Sequence, residues 1–91
     1  MALNESRDVG SYAGHTIEVV RRDGGNSITL VIDGQTVSSA SRGSPGELTL
    51  SATFEHNGQG HRVVVKSVVH GARTVESIEL DGKPLPVEHK P

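Results

Sequence analysis

The segment Glu47-Leu48-Thr49-Leu50-Ser51-Ala52-Thr53-Phe54-Glu55 decides the fold class of this chain of 91 residues. Apolar residues occupy every second position from Leu48 to Phe54, and hydroxyl or acidic residues occupy the positions between them. Side chains of a β-strand point alternately to opposite faces, so this pattern predicts a strand with one face in a core and the other in water. Phe54 is then expected to be an aromatic residue of that core.

Apolar and polar residues also alternate in the sequence on both sides of this segment. The further predicted strands are residues 15–22, 28–33, 35–41, 62–69, 74–80 and 83–88. Asp33-Gly34 and Asp81-Gly82 each separate two of these strands and are typical of two-residue type I′ hairpin turns. We therefore predict an all-β domain of about seven short antiparallel strands, arranged as a β-sandwich or a small barrel.

The length and the start of the alternating pattern set the expected domain boundaries. A chain of 91 residues can form one core but is too short for two independent ones. Residues 1–10 are mostly polar and are predicted to be a flexible tail. Residues 11–91 are predicted to form the single β domain.

The lack of cysteine and of long apolar segments indicates in which cellular compartment the protein is expected. The chain has no cysteine, so disulfides and cysteine-based zinc sites are excluded. It also has no apolar run of the roughly 18 residues that cross a bilayer, and its N-terminus lacks the apolar core of a signal peptide. These features predict a soluble, cytoplasmic protein that does not act at a membrane.

The charge distribution argues against nucleic-acid binding. The formal net charge is −2, and Arg21-Arg22 is the only pair of adjacent basic residues. Proteins that bind nucleic acid need a dense basic surface, usually with aromatic side chains for base stacking. Aromatic residues make up 2% of the chain, so we expect no nucleic-acid partner.

Arrangements typical of catalysis are missing from the sequence. Glu76 and Glu79 lie on opposite faces of one predicted strand and therefore do not form a carboxylate pair. The serines lack a Gly-x-Ser-x-Gly context, and the glycine-rich stretches lack the Lys-Ser/Thr and the helix of a phosphate-binding loop. We predict that the protein is not an enzyme and uses no cofactor.

Two histidines stand on either side of a glycine-rich turn. His56 and His61 bracket Asn-Gly-Gln-Gly, and two imidazoles at that spacing can share a metal ion if Glu55 or His15 supplies a third ligand. Alternatively, both are solvated side chains at the ends of a hairpin. Because nothing in the sequence places the third ligand, we predict no specific metal site.

The two outer strands differ in their ability to pair with another chain. Pro84 and Pro86 lack N–H groups on the same side of the last strand, which blocks that edge. The candidate interaction edge has no proline and no charge, and consists of Gln35, Val37, Ser38, Ser39 and Ser41. We expect it to pair with another protein or with a second copy of the chain, unless the loop 42–46 covers it.

A second functional class remains open from the sequence. Loops at one end of a sandwich, such as 23–26, 56–61 and 70–72, are candidates for binding a small ligand or a carbohydrate. The scarcity of aromatic side chains disfavours carbohydrate stacking.

An internal similarity links the segments 30–37 and 78–85, since each has alternating apolar residues, Asp-Gly and a further apolar residue. The chemistry of the hairpin turn alone is expected to produce it.

The chain also resembles a domain of the Fas apoptotic inhibitory molecule family. The resemblance rests on residues 15–19, 30–35, 60–66 and 76–86, and in particular on the apolar strand that runs into Asp33-Gly34-Gln35. Members of that family are built from compact β-sandwich domains and have no catalytic motif. They are associated with protein–protein binding and with protection against cell death and protein aggregation. The resemblance therefore implies a non-enzymatic binding module.

Overall fold

The computed structural model describes residues 5–22, 27–41, 47–70 and 73–90, and nine β-strands lie within these ranges. They are β1 (Glu5–Tyr12), β2 (His15–Arg22), β3 (Ser27–Ile32), β4 (Gln35–Ser41), β5 (Glu47–His56), β6 (Gln59–His70), β7 (Arg73–Leu80), β8 (Lys83–Pro84) and β9 (Glu88–Lys90). Sheet A has the order β4-β3-β2-β1-β9, and sheet B has the order β5-β6-β7-β8. Every pairing in them is antiparallel. The all-β prediction is confirmed, and the two sheets are not closed, which is consistent with a β-sandwich. None of the described residues belongs to a helix long and apolar enough to cross a membrane.

The core is aliphatic and lies between the inner faces of the two sheets. Its buried residues are Ile17, Val19, Ile28, Leu30, Ile32, Leu50, Val63, Val65, Ile78 and Leu80. The alternation predicted for β5 is observed, because Leu50 is buried while Thr49, Ser51 and Thr53 are exposed. Phe54 is only partly buried and packs against the border of this core.

Within the described residues, four two-residue turns join strands at one end of the sandwich. Asp33-Gly34 and Asp81-Gly82 have positive φ at both residues, as the sequence predicted for type I′ turns. Ala13-Gly14 and Asn57-Gly58 have the same two positive φ angles. Alanine rarely adopts a positive φ, which is why no hairpin turn is predicted from the sequence at Ala13.

The N-terminal strand extends the domain beyond the predicted boundary. Residues 5–10 were expected to belong to a flexible tail, but β1 begins at Glu5 and pairs with β2 from Glu5 to Tyr12. The strand has no alternating apolar pattern because main-chain pairing and ion pairs hold it. Arg7, for example, contacts Glu18 on β2 at 3.2 Å.

The C-terminal segment passes from one sheet to the other. Residues 83–88, expected as one strand, divide into β8 at the edge of sheet B and β9 beside β1 in sheet A. Pro84 and Pro86 lack the N–H groups that a continuous strand would need. Gly10 allows this crossing, since a Cβ at that position would lie 2.8 Å from the main-chain oxygen of Pro86.

Candidate functional site

The candidate interaction edge lies on β4, the outermost strand of sheet A at the end opposite β9. Gln35, Val37, Ser39 and Ser41 are exposed, whereas Ser38 is partly buried. Val37 is 44% exposed and lies at an irregularity in the pairing with β3, where the register shifts by one residue. Among the strands that the structure describes, β3 alone pairs with β4, so the outer side of β4 is an open edge within the described residues. The loop 42–46, which was the alternative cover for this edge, lies outside them.

The register shows which main-chain groups of β4 point outward. The Asp33 N–H donates to the Thr16 oxygen at 2.9 Å, so the main chain of residue 33 faces β2. The main-chain groups of successive residues in a strand point to alternate sides, so the N–H and C=O groups of residues 29 and 31 also face β2. Leu30 and Ile28 therefore face β4, where they pair with Ser38 and Ala40. It follows that Ser38 bonds inward, while the N–H and C=O of Ser39 face away from the sheet.

A second long edge strand, which the sequence analysis missed, lies at the same corner of the sandwich. β5 is the outermost strand of sheet B, and it contacts β4. It is ten residues long, and its register with β6 is continuous from Glu47 to His56. β8 and β9 are much shorter, with two and three residues, and β8 contains Pro84. The molecule therefore has two long edge strands at one corner.

Near the turn that joins β3 and β4, one aspartate binds both the side chain and the main chain at the start of β2. Asp33 Oδ2 accepts a hydrogen bond from His15 Nδ1 at 2.7 Å, and Asp33 Oδ1 accepts one from the Thr16 N–H at 2.9 Å. The Asp33 N–H donates in return to the Thr16 oxygen. We call this arrangement of His15, Thr16 and Asp33 the first His–Asp clasp.

Sheet B repeats this arrangement, and we call His61, Arg62 and Asp81 the second His–Asp clasp. Asp81 Oδ2 accepts from His61 Nδ1 at 2.7 Å, and Asp81 Oδ1 accepts from the Arg62 N–H at 2.9 Å. The Asp81 N–H donates to the Arg62 oxygen at 2.8 Å. The internal similarity thus extends beyond the turn to the preceding hairpin, contrary to expectation. β5 to β8 repeat the order and connections of β1 to β4.

The clasps lower the pKa values of both aspartates. The pKa of Asp33 lies below its usual value of 3.8 because of the hydrogen bonds from His15 and the Thr16 N–H. The pKa of Asp81 is lowered in the same way by His61 and the Arg62 N–H. A carboxyl group whose pKa is lowered in the folded state stabilises that state at pH values above its ordinary pKa. This stabilisation is lost as the pH falls through the lowered, folded-state pKa.

We expect the double variant Asp33→Asn/Asp81→Asn to lose less thermal stability than the parent between about pH 4 and pH 2. Asparagine keeps a carbonyl acceptor and suits type I′ turns, but it does not titrate. The Tm measured by circular dichroism across this range tests the prediction. Equal losses of Tm in parent and variant would show that the clasps do not contribute to acid sensitivity.

The aromatic side chains of the chain lie together between the two clasps. Tyr12 and Phe54 are edge to face with ring centroids 6.4 Å apart, and the His61 ring is 5.0 Å from Tyr12 and 5.4 Å from Phe54. His15 packs on Phe54 at 4.9 Å. These rings link β1, β2, β5 and β6 and close the end of the core between the sheets.

The two histidines singled out in the sequence do not face each other. In β5 and β6, His56 is opposite Gln59, and His61 is opposite Phe54. His61 is 8% exposed and belongs to the second clasp. His56 Nδ1 lies 3.2 Å from His15 Nε2, so the two rings form a separate hydrogen-bonded pair. In the described part of the chain, no group of three or more His, Cys, Asp or Glu side chains is arranged to hold a metal ion.

Of the loops predicted for a ligand site, residues 23–26 and 71–72 lie outside the described residues. Residues 56–61 form no long loop, because they comprise the last residue of β5, the two-residue turn Asn57-Gly58 and the first three residues of β6.

Near the other end of β2, Arg21 joins the two sheets through buried ion pairs. Its guanidinium binds both carboxylate oxygens of Asp8 at 3.0 and 3.1 Å and also binds Glu76 on β7. The side chains of Arg21, Asp8 and Glu76 are 12%, 15% and 9% exposed. His89 on β9 adds a hydrogen bond to Asp8 at 2.8 Å. This network could not be predicted from the sequence, because its members come from four strands.

The two carboxylates of this network respond differently to burial. Burial raises the pKa of Asp8, but hydrogen bonds from Arg21 and His89 outweigh it, so that this pKa is lowered. For Glu76, burial raises the pKa by more than the attraction of Arg21 lowers it, so the pKa of Glu76 lies above its usual value. Glu76 Oε2 is buried and has no hydrogen-bond partner. The network therefore depends on Arg21 as its central cation.

Comparisons of this chain with protein-family models, with curated proteins and with solved structures found no match. The resemblance to the Fas apoptotic inhibitory molecule family accordingly stays a prediction from the sequence.

Proposed function

We propose that this protein is a non-catalytic β-sandwich module that acts by binding another protein or a second copy of itself at its open sheet edge. The observation that carries the proposal is β4, an edge strand of seven residues without proline or charge. Its outward N–H and C=O groups can accept an added strand, and main-chain hydrogen bonds supply affinity in this mode of recognition.

The contrast between the two corners of the molecule supports this proposal. Natural β-proteins protect their sheet edges with short strands and prolines. The corner formed by β8 and β9 has both features, whereas β4 and β5 have long main-chain edges without proline. The resemblance to a family of non-enzymatic binding domains agrees with the same role.

The histidine–carboxylate pairs favour a structural role over a catalytic one. In each clasp the aspartate also binds the main chain of a neighbouring strand, and the imidazole packs among aromatic rings. Such contacts fix the hairpins and close the core. They account for the position of both residues without a substrate.

A small-ligand site is the alternative function, and one cleft favours it. A cleft of about 340 Å³ lies beside the second clasp, between the end of β1 and the segment after β7. Its lining includes Tyr12, Lys83 and Leu85. The volume is at the lower end of the range for ligand pockets, and Tyr12 is its only aromatic residue, which disfavours carbohydrate binding.

We expect Ser39→Pro to weaken association while the domain stays folded. Proline at this position removes an outward N–H that no other described strand uses. Association measured by sedimentation velocity should weaken by about tenfold, equivalent to one or two lost hydrogen bonds of about 1 kcal/mol each. Circular dichroism checks that the fold is retained.

The variant Ser38→Pro is the matched control, because the N–H of Ser38 faces β3 and its loss should destabilise the sheet. Ser39→Ala should leave association unchanged. If Ser39→Pro is folded and binds like the parent, β4 is not the interaction edge. Protection from hydrogen exchange at residues 83–88 on binding would instead place the interface at the opposite corner.

A further inference from the structure

Among the described strands only β6 pairs with β5, the second long edge strand, so its outer side is open within that part of the chain and the register determines its main-chain direction. Thr53 is opposite Arg62, and the main chain of Arg62 faces β7 because its oxygen accepts from the Asp81 N–H at 2.8 Å. Thr53 therefore does not bond to β6, and its N–H and C=O face outward. By alternation, the outward-facing residues of β5 are Glu47, Thr49, Ser51, Thr53 and Glu55.

These five residues read the same in both directions: Glu, Thr, Ser, Thr, Glu. When a strand pairs antiparallel with its own copy across a two-fold axis, residue i lies opposite residue j and j lies opposite i, so this symmetry places identical residue types opposite each other. With the axis at Ser51, each Thr49 is opposite Thr53 of the second copy, and all outward main-chain groups are used. Such a pairing has about ten hydrogen bonds between the copies.

We propose that β5 pairs with β5 of a second copy, antiparallel and centred on Ser51, to form a continuous sheet of eight strands. This inference rests on the proposed function and assigns dimerisation to β5, whereas β4 stays available for association beyond the dimer, which is the association that Ser39→Pro should weaken. The outer face gains Thr–Thr contacts across the two strands, which are favourable in antiparallel pairs.

The inner face of β5 is also compatible with this register. Leu50 is placed opposite Ala52 of the second copy, and Leu48 is placed opposite Phe54, so apolar residues meet apolar residues throughout. Leu48, Ala52 and Phe54 are only partly buried in the single copy. Pairing would cover the apolar surface that these side chains still expose.

Charge repulsion limits the strength of this dimer and provides its test. In the proposed register, Glu47 is opposite Glu55 of the second copy at both ends of the interface, and both residues are exposed. Like charges placed directly opposite destabilise a strand pair, whereas opposite charges stabilise it. Association of the unmodified protein should therefore strengthen when salt screens these carboxylates.

The experiment is a charge-swap cycle measured by sedimentation equilibrium on the full chain. Glu55→Lys alone places lysine opposite glutamate at both ends, and we expect the dimer dissociation constant to fall about tenfold. Glu47→Lys alone should act similarly. The double variant Glu47→Lys/Glu55→Lys restores like charges and should return the constant to nearly that of the parent.

Two outcomes would overturn the inference. One is that the parent and Glu55→Lys both remain monomeric up to millimolar concentration. The other is that both single variants strengthen association and the double variant strengthens it further, which excludes pairing of residue 47 with residue 55.

Ser51→Pro removes the central outward N–H and should weaken dimerisation at least tenfold. If Ser39→Pro weakens it instead while Ser51→Pro does not, β4 is the interface, so the proposed function survives and this inference fails.

Discussion

Phe54→Ala is expected to lower the free energy of unfolding by about 3 kcal/mol. Replacing a buried phenylalanine with alanine costs about 3–5 kcal/mol, and the lower end applies because Phe54 is only partly buried. Its ring contacts Tyr12, His15 and His61, so truncation removes the contacts that close this end of the core. In a domain with an unfolding free energy of about 5–15 kcal/mol, this is a large loss.

Thr53→Ala is the matched control, because Thr53 is adjacent but exposed on the outer face. Its cost should stay below about 1 kcal/mol. Urea unfolding followed by circular dichroism measures both variants, and the fluorescence of Tyr12, the single tyrosine, reports on the aromatic contacts locally. If the two substitutions are equally mild, Phe54 does not connect the sheets as the structure indicates.

The strands could be predicted where one side chain in two is apolar. This condition holds in β5, whose alternation identified both its inner face and Leu50 as a core residue. It fails in β1, where Gly10 is the one buried residue and the others are partly buried or exposed. Main-chain pairing and ion pairs such as that of Arg21 with Asp8 hold β1 in place, and neither leaves a periodic signal in the sequence.

The order of strands within the sheets was equally inaccessible from the sequence. The edge at β4 was suggested by its composition, but the alternation of β5 is the same in a central strand as in an edge strand. The His–Asp clasps left a faint signal, since each combines Gly-His with a later Asp-Gly. Turn chemistry explains the Asp-Gly part, so the informative residue was the histidine near the start of β2 and of β6.

The second large effect is expected for Arg21→Met, which should destabilise the domain by about 3–5 kcal/mol. Arg21 is the cation between Asp8 and Glu76, and all three side chains are largely buried. Removing one partner of a buried ion pair leaves a charge without compensation, which costs far more than the net contribution of the pair. Here two carboxylates would be left, and Glu76 already has one buried oxygen without a hydrogen bond.

The neighbouring Arg22→Met is the control, since Arg22 is 56% exposed and its ion pair with Glu5 is expected to contribute less than about 1 kcal/mol.

The pH dependence provides a second test of Arg21→Met. Without Arg21, the folded-state pKa values of Asp8 and Glu76 both rise, so protonation relieves the unfavourable charge as pH falls. The stability difference between parent and variant should therefore be greatest near neutral pH and should shrink through the carboxyl range, as urea unfolding at several pH values would measure. A difference that is constant from pH 7 to pH 3 would mean that Arg21 stabilises the sheets by packing and not by charge.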